Sequence, residues 1–253
     1  MSGRSRKILA GNWKMNLGPK DSAALVRALS ERSGSSPTPR ILVAPSFVSI
    51  PACIEAARGS VIEVGAQNVC EQGKGAFTGE VSVSMLKECG ASFAIVGHSE
   101  RRALYGESDA LCVERAAFAL ANDLEVLFCI GETLAEREAN ATASVLERQL
   151  APLLARVSSG LSTTHLIVAY EPVWAIGTGK VASPEMIAAT HKDIRSLLVG
   201  VSDGDAVPVL YGGSVTADNF AEICAIETVD GALVGGASLS VEKFWPLVEI
   251  AAR

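Results

Sequence analysis

Short apolar runs recur along this chain at residues 7–10, 40–44, 61–66, 93–96, 125–130, 166–170, 207–211 and 231–234, each flanked by turn-forming residues. Most are too short for a helix and rich in Val and Ile, so they predict buried β-strands. Between them the apolar positions follow a helical period. Leu25 and Leu29 lie four apart within 21–32, and 109–122 is Ala-rich with charges interspersed. Segment 133–157, charged on one side, predicts one long helix. Ser183-Pro184-Glu185 supplies an N-cap, a first-position proline and a first-turn acid for the next. Segments 216–226 and 240–252 give the last two helices, and 46–58 and 81–89 fill the remaining gaps. The alternation repeats eight times without a linker, so one domain over 1–253 is expected. Eight units predict an α/β fold closed into a (βα)8 barrel, since an open parallel sheet usually has about five to seven strands.

Composition supports this architecture. Hydrophobic residues make up 49% of the chain but aromatics only 5%, so the core must be built from Ala, Val, Leu and Ile, as suits parallel strands covered by helices. The formal charge of −6 argues against a nucleic-acid partner. Any bound anion must be captured by local features. The six cysteines (Cys53, Cys70, Cys89, Cys112, Cys129 and Cys224) contain no CxxC pair, and His98, His165 and His191 lie outside metal-ligand spacing. No metal or cofactor is therefore expected, and the cysteines read as reduced thiols of a cytoplasmic protein. Arg4, Arg6 and Lys7 precede no secretory apolar region, and no run approaches the roughly 18 apolar residues of a membrane span.

In a barrel the chemistry gathers at the carboxyl ends of the strands. Asn12 and Lys14 follow the first run, Gly97-His98-Ser99-Glu100-Arg101 the fourth, and Glu132 the fifth. Glu171 follows the sixth, Tyr211-Gly212-Gly213-Ser214 ends the seventh, and Gly235-Gly236 ends the eighth. Taken singly, His98 also fits a hydrogen-bonded histidine near a strand end, Lys14 a solvated lysine, and Glu100 a first-turn acid at a helix N-terminus. Cys129, inside Leu127-Phe128-Cys129-Ile130, reads as packing, with no acyl-transfer constellation around it. The glycine turns are more specific. They let backbone N–H groups at a helix start approach an anion, and the last two loops of such barrels frequently bind phosphate. Glu171 also opens Pro172-Val173-Trp174-Ala175-Ile176-Gly177-Thr178-Gly179-Lys180, whose stiff start and glycine-rich finish suit a hinged lid. A positioned carboxylate under a closing lid is what proton transfer at carbon requires.

These segments resemble the triosephosphate isomerase family. The motifs are Gly11-Asn12-Trp13-Lys14-Met15-Asn16, Gly75-Ala76-Phe77-Thr78-Gly79-Glu80, Ile95 through Arg102, Cys129-Ile130-Gly131-Glu132, Tyr170 through Lys180, Tyr211 through Val215 and Leu233 through Ala237. They span the chain from the first strand to the last. The resemblance implies a TIM barrel that isomerises glyceraldehyde 3-phosphate and dihydroxyacetone phosphate, with the family's known division of roles. Glu171 would be the base, His98 a neutral imidazole polarising the carbonyl, Lys14 a cation near the developing oxyanion, and Asn12 a substrate holder. Glu100 would support Lys14. Gly177, Ser214, Gly235 and Gly236 would clamp phosphate, and Leu233 would keep the base dry. Pro172, Val173 and Trp174 would form one lid hinge, and Lys180, Val181 and Ala182 the other. In the family the loop at 67–80 enters a second subunit, implying a homodimer with Thr78 and Glu80 at the interface and Arg101 as partner of Glu80. Two alternatives remain at this stage. A Schiff-base aldolase would need a desolvated lysine on a later strand, and a non-catalytic binding barrel would have lost the base or the lid. Neither pattern is present here.

Overall fold

Eight parallel strands form one sheet in the order β3-β2-β1-β8-β7-β6-β5-β4 in the computed structural model, which describes residues 6–33, 39–176 and 181–253. The strands are β1 (Ile8–Asn12), β2 (Arg40–Ala44), β3 (Ile62–Val64), β4 (Phe93–Val96), β5 (Glu125–Ile130), β6 (Leu166–Tyr170), β7 (Val209–Tyr211) and β8 (Gly231–Val234). Between the two outer strands of that order, Ala66 pairs in parallel with Ala94, and the Ala66 N–H donates to the Phe93 carbonyl at 2.9 Å. The sheet thus curls on itself into a barrel and leaves almost no edge.

The helices are α1 (Pro19–Ser33), α2 (Ile50–Ala57), α3 (Val83–Glu88), α4 (Ser99–Tyr105), α5 (Asp109–Ala121), α6 (Leu134–Glu138), α7 (Thr142–Ser158), α8 (Pro184–Leu198), α9 (Ala217–Ala225) and α10 (Val241–Ala251). The expected single helix over 133–157 is two. Asn140 adopts φ 56, a left-handed conformation that asparagine tolerates, and it separates α6 from α7. A reciprocal Thr133–Glu136 capping box starts α6. Ser183 caps α8 as expected, accepting from the Met186 N–H.

Strand side chains alternate between two cores, as the period of two requires. Ile8, Ala10, Leu42, Phe93, Leu127 and Ile167 belong to the inner cluster that fills the barrel. Leu9, Ile41, Val43, Val126, Phe128 and Val168 belong to the outer one, which also takes in buried residues of the helices. Because both strand faces are buried, the runs read as continuously apolar. At full burial each such aliphatic side chain contributes about 1.5–3 kcal/mol. This packing holds the strand ends still, and the site is built on those ends.

Candidate active site

Glu171 follows β6 directly. Its N–H donates to the Ile130 carbonyl and the Gly212 N–H donates to the Tyr170 carbonyl, both at 2.7 Å, so the backbone here is tied to β5 and β7. A Cβ at Gly131 would lie 1.7 Å from the Glu171 carbonyl oxygen. Glycine is obligatory there if Glu171 is to keep its place.

The Glu171 side chain is 2% exposed and holds two hydrogen bonds. Oε2 accepts the Ser99 N–H at 2.8 Å, and Oε1 lies 2.9 Å from His98 Nε2. His98 is the N-cap of α4, and its Nδ1 accepts the Glu100 N–H at 3.2 Å. An Nδ1 that accepts carries no proton, so the ring presents Nε2–H to Glu171.

Lys14 adopts φ 50, unusual for a residue with a side chain. Such strain costs of order 1–3 kcal/mol and persists only where the surroundings enforce it. Here its N–H donates to Asn12 Oδ1 at 3.0 Å, its carbonyl accepts from Gln67 Nε2 at 2.7 Å, and its Nζ donates to Glu100 Oε1 at 2.5 Å. The backbone kink aims the ammonium at the β8 turn, where a Cβ on Gly235 would be 3.9 Å from Nζ.

The electrostatics of the buried pair follow from these contacts. Burial alone would raise the Glu171 carboxyl, but attraction and hydrogen bonding from His98, with the Ser99 N–H, outweigh it and hold it below the usual carboxylate range. For His98, burial acts to lower the imidazole, and the Glu171 carboxylate reverses that and raises it. Both shifts depend on the two side chains touching. Cys129 is fully buried, and burial, with the neighbouring Glu171 carboxylate, pushes its thiol well above the ordinary range, so it stays un-ionised.

A cavity of about 560 Å³ opens over this group. Asn12, Lys14, His98, Glu171 and Leu233 line it, and so do Ser214, Gly235 and Gly236. Residues predicted from five strand ends therefore meet in one place. Glu100 does not line the cavity and reaches it through Lys14. Of the residues expected in a lid, Val173 and Trp174 fall in a single 3-10 turn (Val173–Ala175) that follows Pro172, Val181 is half exposed and Ala182 is buried. Gly177 and Lys180 lie outside the described residues.

Sequence reasoning gave Glu132 no role, and it has one. Fully buried, Oε1 of Glu132 accepts from Trp174 Nε1 at 2.9 Å, Tyr170 Oη at 3.1 Å and Arg137 Nη1 at 3.3 Å, while its carbonyl accepts the Val173 N–H. It ties the 3-10 turn after Pro172 to the end of β5. The available signal was a carboxylate at an apolar strand end with a tryptophan in the loop after the neighbouring strand.

The Glu80–Arg101 pair is expected between subunits, and within one chain the two side chains take other partners. Arg101 pairs with buried Glu107 at 2.7 Å, and Glu80 approaches Arg115 at 3.4 Å. Arg115 is itself buried and also holds Glu71 and Glu107, so the deeper guanidinium collects the loop's carboxylates. Thr78 and Glu80 are exposed. No group of three or more potential metal ligands occurs among the described residues, and none of the described helices is long and apolar enough to cross a membrane.

With this geometry in place, comparison with known proteins is specific. A family model described as triosephosphate isomerase matches residues 7–251. A protein of Bdellovibrio bacteriovorus named triosephosphate isomerase is 44% identical over 245 residues, 97% of this chain and 100% of its own. Proteins of the same name from Herpetosiphon aurantiacus and Thiobacillus denitrificans are each 46% identical, over 96% and 98% of this chain and 98% and 99% of theirs.

Proposed function

The chain belongs to the triosephosphate isomerase family, and from that premise we propose that it interconverts D-glyceraldehyde 3-phosphate and dihydroxyacetone phosphate, serving glycolysis and gluconeogenesis. Glu171 removes the proton from the carbon beside the carbonyl. The electron pair moves onto the carbonyl oxygen, giving an enediolate; the hydroxyl proton on the first carbon passes to that oxygen, and Glu171 returns its proton to the former carbonyl carbon as the first carbon becomes the carbonyl. His98 Nε2–H and the Lys14 ammonium face the oxygen where negative charge develops. Asn12 holds the substrate, and Glu100 fixes Lys14.

The observation that carries this reading is the 2.9 Å contact between Glu171 Oε1 and His98 Nε2 inside the cavity. Base and electrophile touch when nothing lies between them, so a substrate must part them. Parting removes the His98 contacts, the largest that depress Glu171, and leaves its burial, which strengthens it as a base. Parting also removes the carboxylate that raises His98, leaving burial and the helix N-terminus to favour the neutral ring. Substrate binding thus switches on both groups.

Backbone groups of Ser214, Gly235 and Gly236, joined by Gly177, would hold the phosphate, with Leu233 as an apolar wall beside the base. Pro172–Trp174 and 180–182 would be the lid hinges, so that closure excludes water from the enediolate. We read the chain as one domain that acts in the cytoplasm as a homodimer through the 67–80 loop, with Thr78, Glu80 and Arg101 at the interface. Support comes from exposed apolar side chains, Phe77 in that loop and Met15 after β1. The test is a coupled assay of glyceraldehyde 3-phosphate conversion beside Glu171→Gln. A kcat drop of roughly 10²–10⁴ with the fold intact is expected.

A further inference from the structure

The cavity contains a charge that the isomerase reading leaves unused. Four charged residues line it: Lys14, Lys243, Glu171 and Glu242. Lys14 is neutralised by Glu100 at 2.5 Å, so from outside the pair acts as a dipole. Glu171 is turned onto His98 and Ser99. Glu242, exposed in the first turn of α10, bonds to its own backbone N–H and to Ser240, which ties it to the helix start. Lys243, exposed on the same turn, has no hydrogen bond or ion pair among the described residues. Among the described residues it is the one cation lining the cavity that no carboxylate holds.

Resting on the isomerase reading, we propose that Lys243 is an anion-capture residue, whose free ammonium draws the substrate's phosphate dianion into the cavity of an otherwise acidic protein. The backbone N–H groups of the glycine turns carry only partial charges that fade within a turn of the helix, so they seat phosphate at short range. A net charge of −6 repels a dianion at longer range. Lys243 works against that repulsion at the cavity itself. A unit charge acting on a dianion at ~10 Å, the span of such a cavity, changes the encounter by about threefold at ~10 mM salt and by almost nothing at ~0.5 M.

The test measures kcat/KM for glyceraldehyde 3-phosphate against ionic strength in wild type, Lys243→Ala, Lys243→Arg and Glu242→Gln. Phosphate-free glyceraldehyde serves as a neutral control, and inorganic phosphate binding is followed by calorimetry. Lys243→Ala should lose about threefold in kcat/KM at ~10 mM salt, with the loss carried by KM and gone at ~0.5 M. Lys243→Arg should restore it, Glu242→Gln should shift kcat/KM the opposite way, and glyceraldehyde turnover should not follow the pattern. Phosphate should bind more weakly to Lys243→Ala at low salt. An unchanged kcat/KM, a loss that persists at high salt, or an equal loss with glyceraldehyde would overturn the proposal. A wild type without isomerase activity would defeat the functional reading instead, and the phosphate titration would still decide the role of Lys243.

Discussion

His191 on α8 should make this protein lose stability as pH falls below neutrality, by an amount that follows from its surroundings. The ring is fully buried, with Nδ1 3.2 Å from the Thr228 carbonyl, Nε2 without a hydrogen-bond partner among the described residues, and the Tyr170 ring edge-on at 5.9 Å. Burial disfavours the imidazolium, and the charges of Arg195 and Lys7 add to it, so the pKa falls from 6.5 to about 4. An unfolded chain takes up this proton near pH 6.5, while the native state resists until about pH 4. Stability is therefore full above pH 6.5 and declines as pH falls between those values. The drop of about 2.5 units corresponds to ~3 kcal/mol, of which about 2 kcal/mol is lost by pH 5. His191→Asn keeps a donor for the Thr228 carbonyl but cannot titrate. It also leaves a small cavity, which costs about the same at every pH. Urea unfolding of both proteins at one protein concentration, from pH 4.5 to 7.5, isolates the effect. Carboxylate titrations are common to the two and cancel in the difference. The wild type should lose about 2 kcal/mol relative to the variant between pH 7.5 and 5. Parallel curves would refute the assignment of His191 as a buried neutral base.

Other perturbations separate the parts of the site. His98→Gln should lower kcat by roughly 10²-fold or more with little change in KM, because its contact strengthens as charge develops; an effect confined to KM would contradict the electrophile role. Glu132→Gln keeps an acceptor but loses the charge that holds Arg137, so it should loosen the turn at Trp174 and, if that turn is the proposed lid hinge, raise KM and alter the change in Trp fluorescence on phosphate binding. Identical ligand-induced fluorescence in the two proteins would count against Glu132 as the anchor. Gly131→Ala should destabilise the fold and abolish activity together, since its Cβ would sit within 1.7 Å of the Glu171 carbonyl oxygen.

Most of the architecture was legible in the sequence because both strand faces are buried, so every strand reads as a short apolar run with glycine or polar residues at its end. The candidate residues on those ends, Asn12, His98, Glu171 and Gly235, which line one cavity, were legible for the same reason. What sequence missed depended on contacts between distant segments. The break at Asn140 is a single left-handed residue within a stretch of good helix formers. Glu132 gains its meaning from Trp174, 42 residues away. Lys243 reads as an ordinary helical lysine until the barrel closes and turns the start of α10 toward the cavity.

The central claim is that one carboxylate, Glu171, carries the proton between adjacent carbons, and exchange with solvent deuterium tests it most directly. Wild-type enzyme converting dihydroxyacetone phosphate in D₂O should incorporate deuterium at the carbon that receives the proton, and Glu171→Gln should stop both isomerisation and exchange while binding inorganic phosphate normally. Continued exchange in the variant at the wild-type rate would show that another base does the work and would contradict the account.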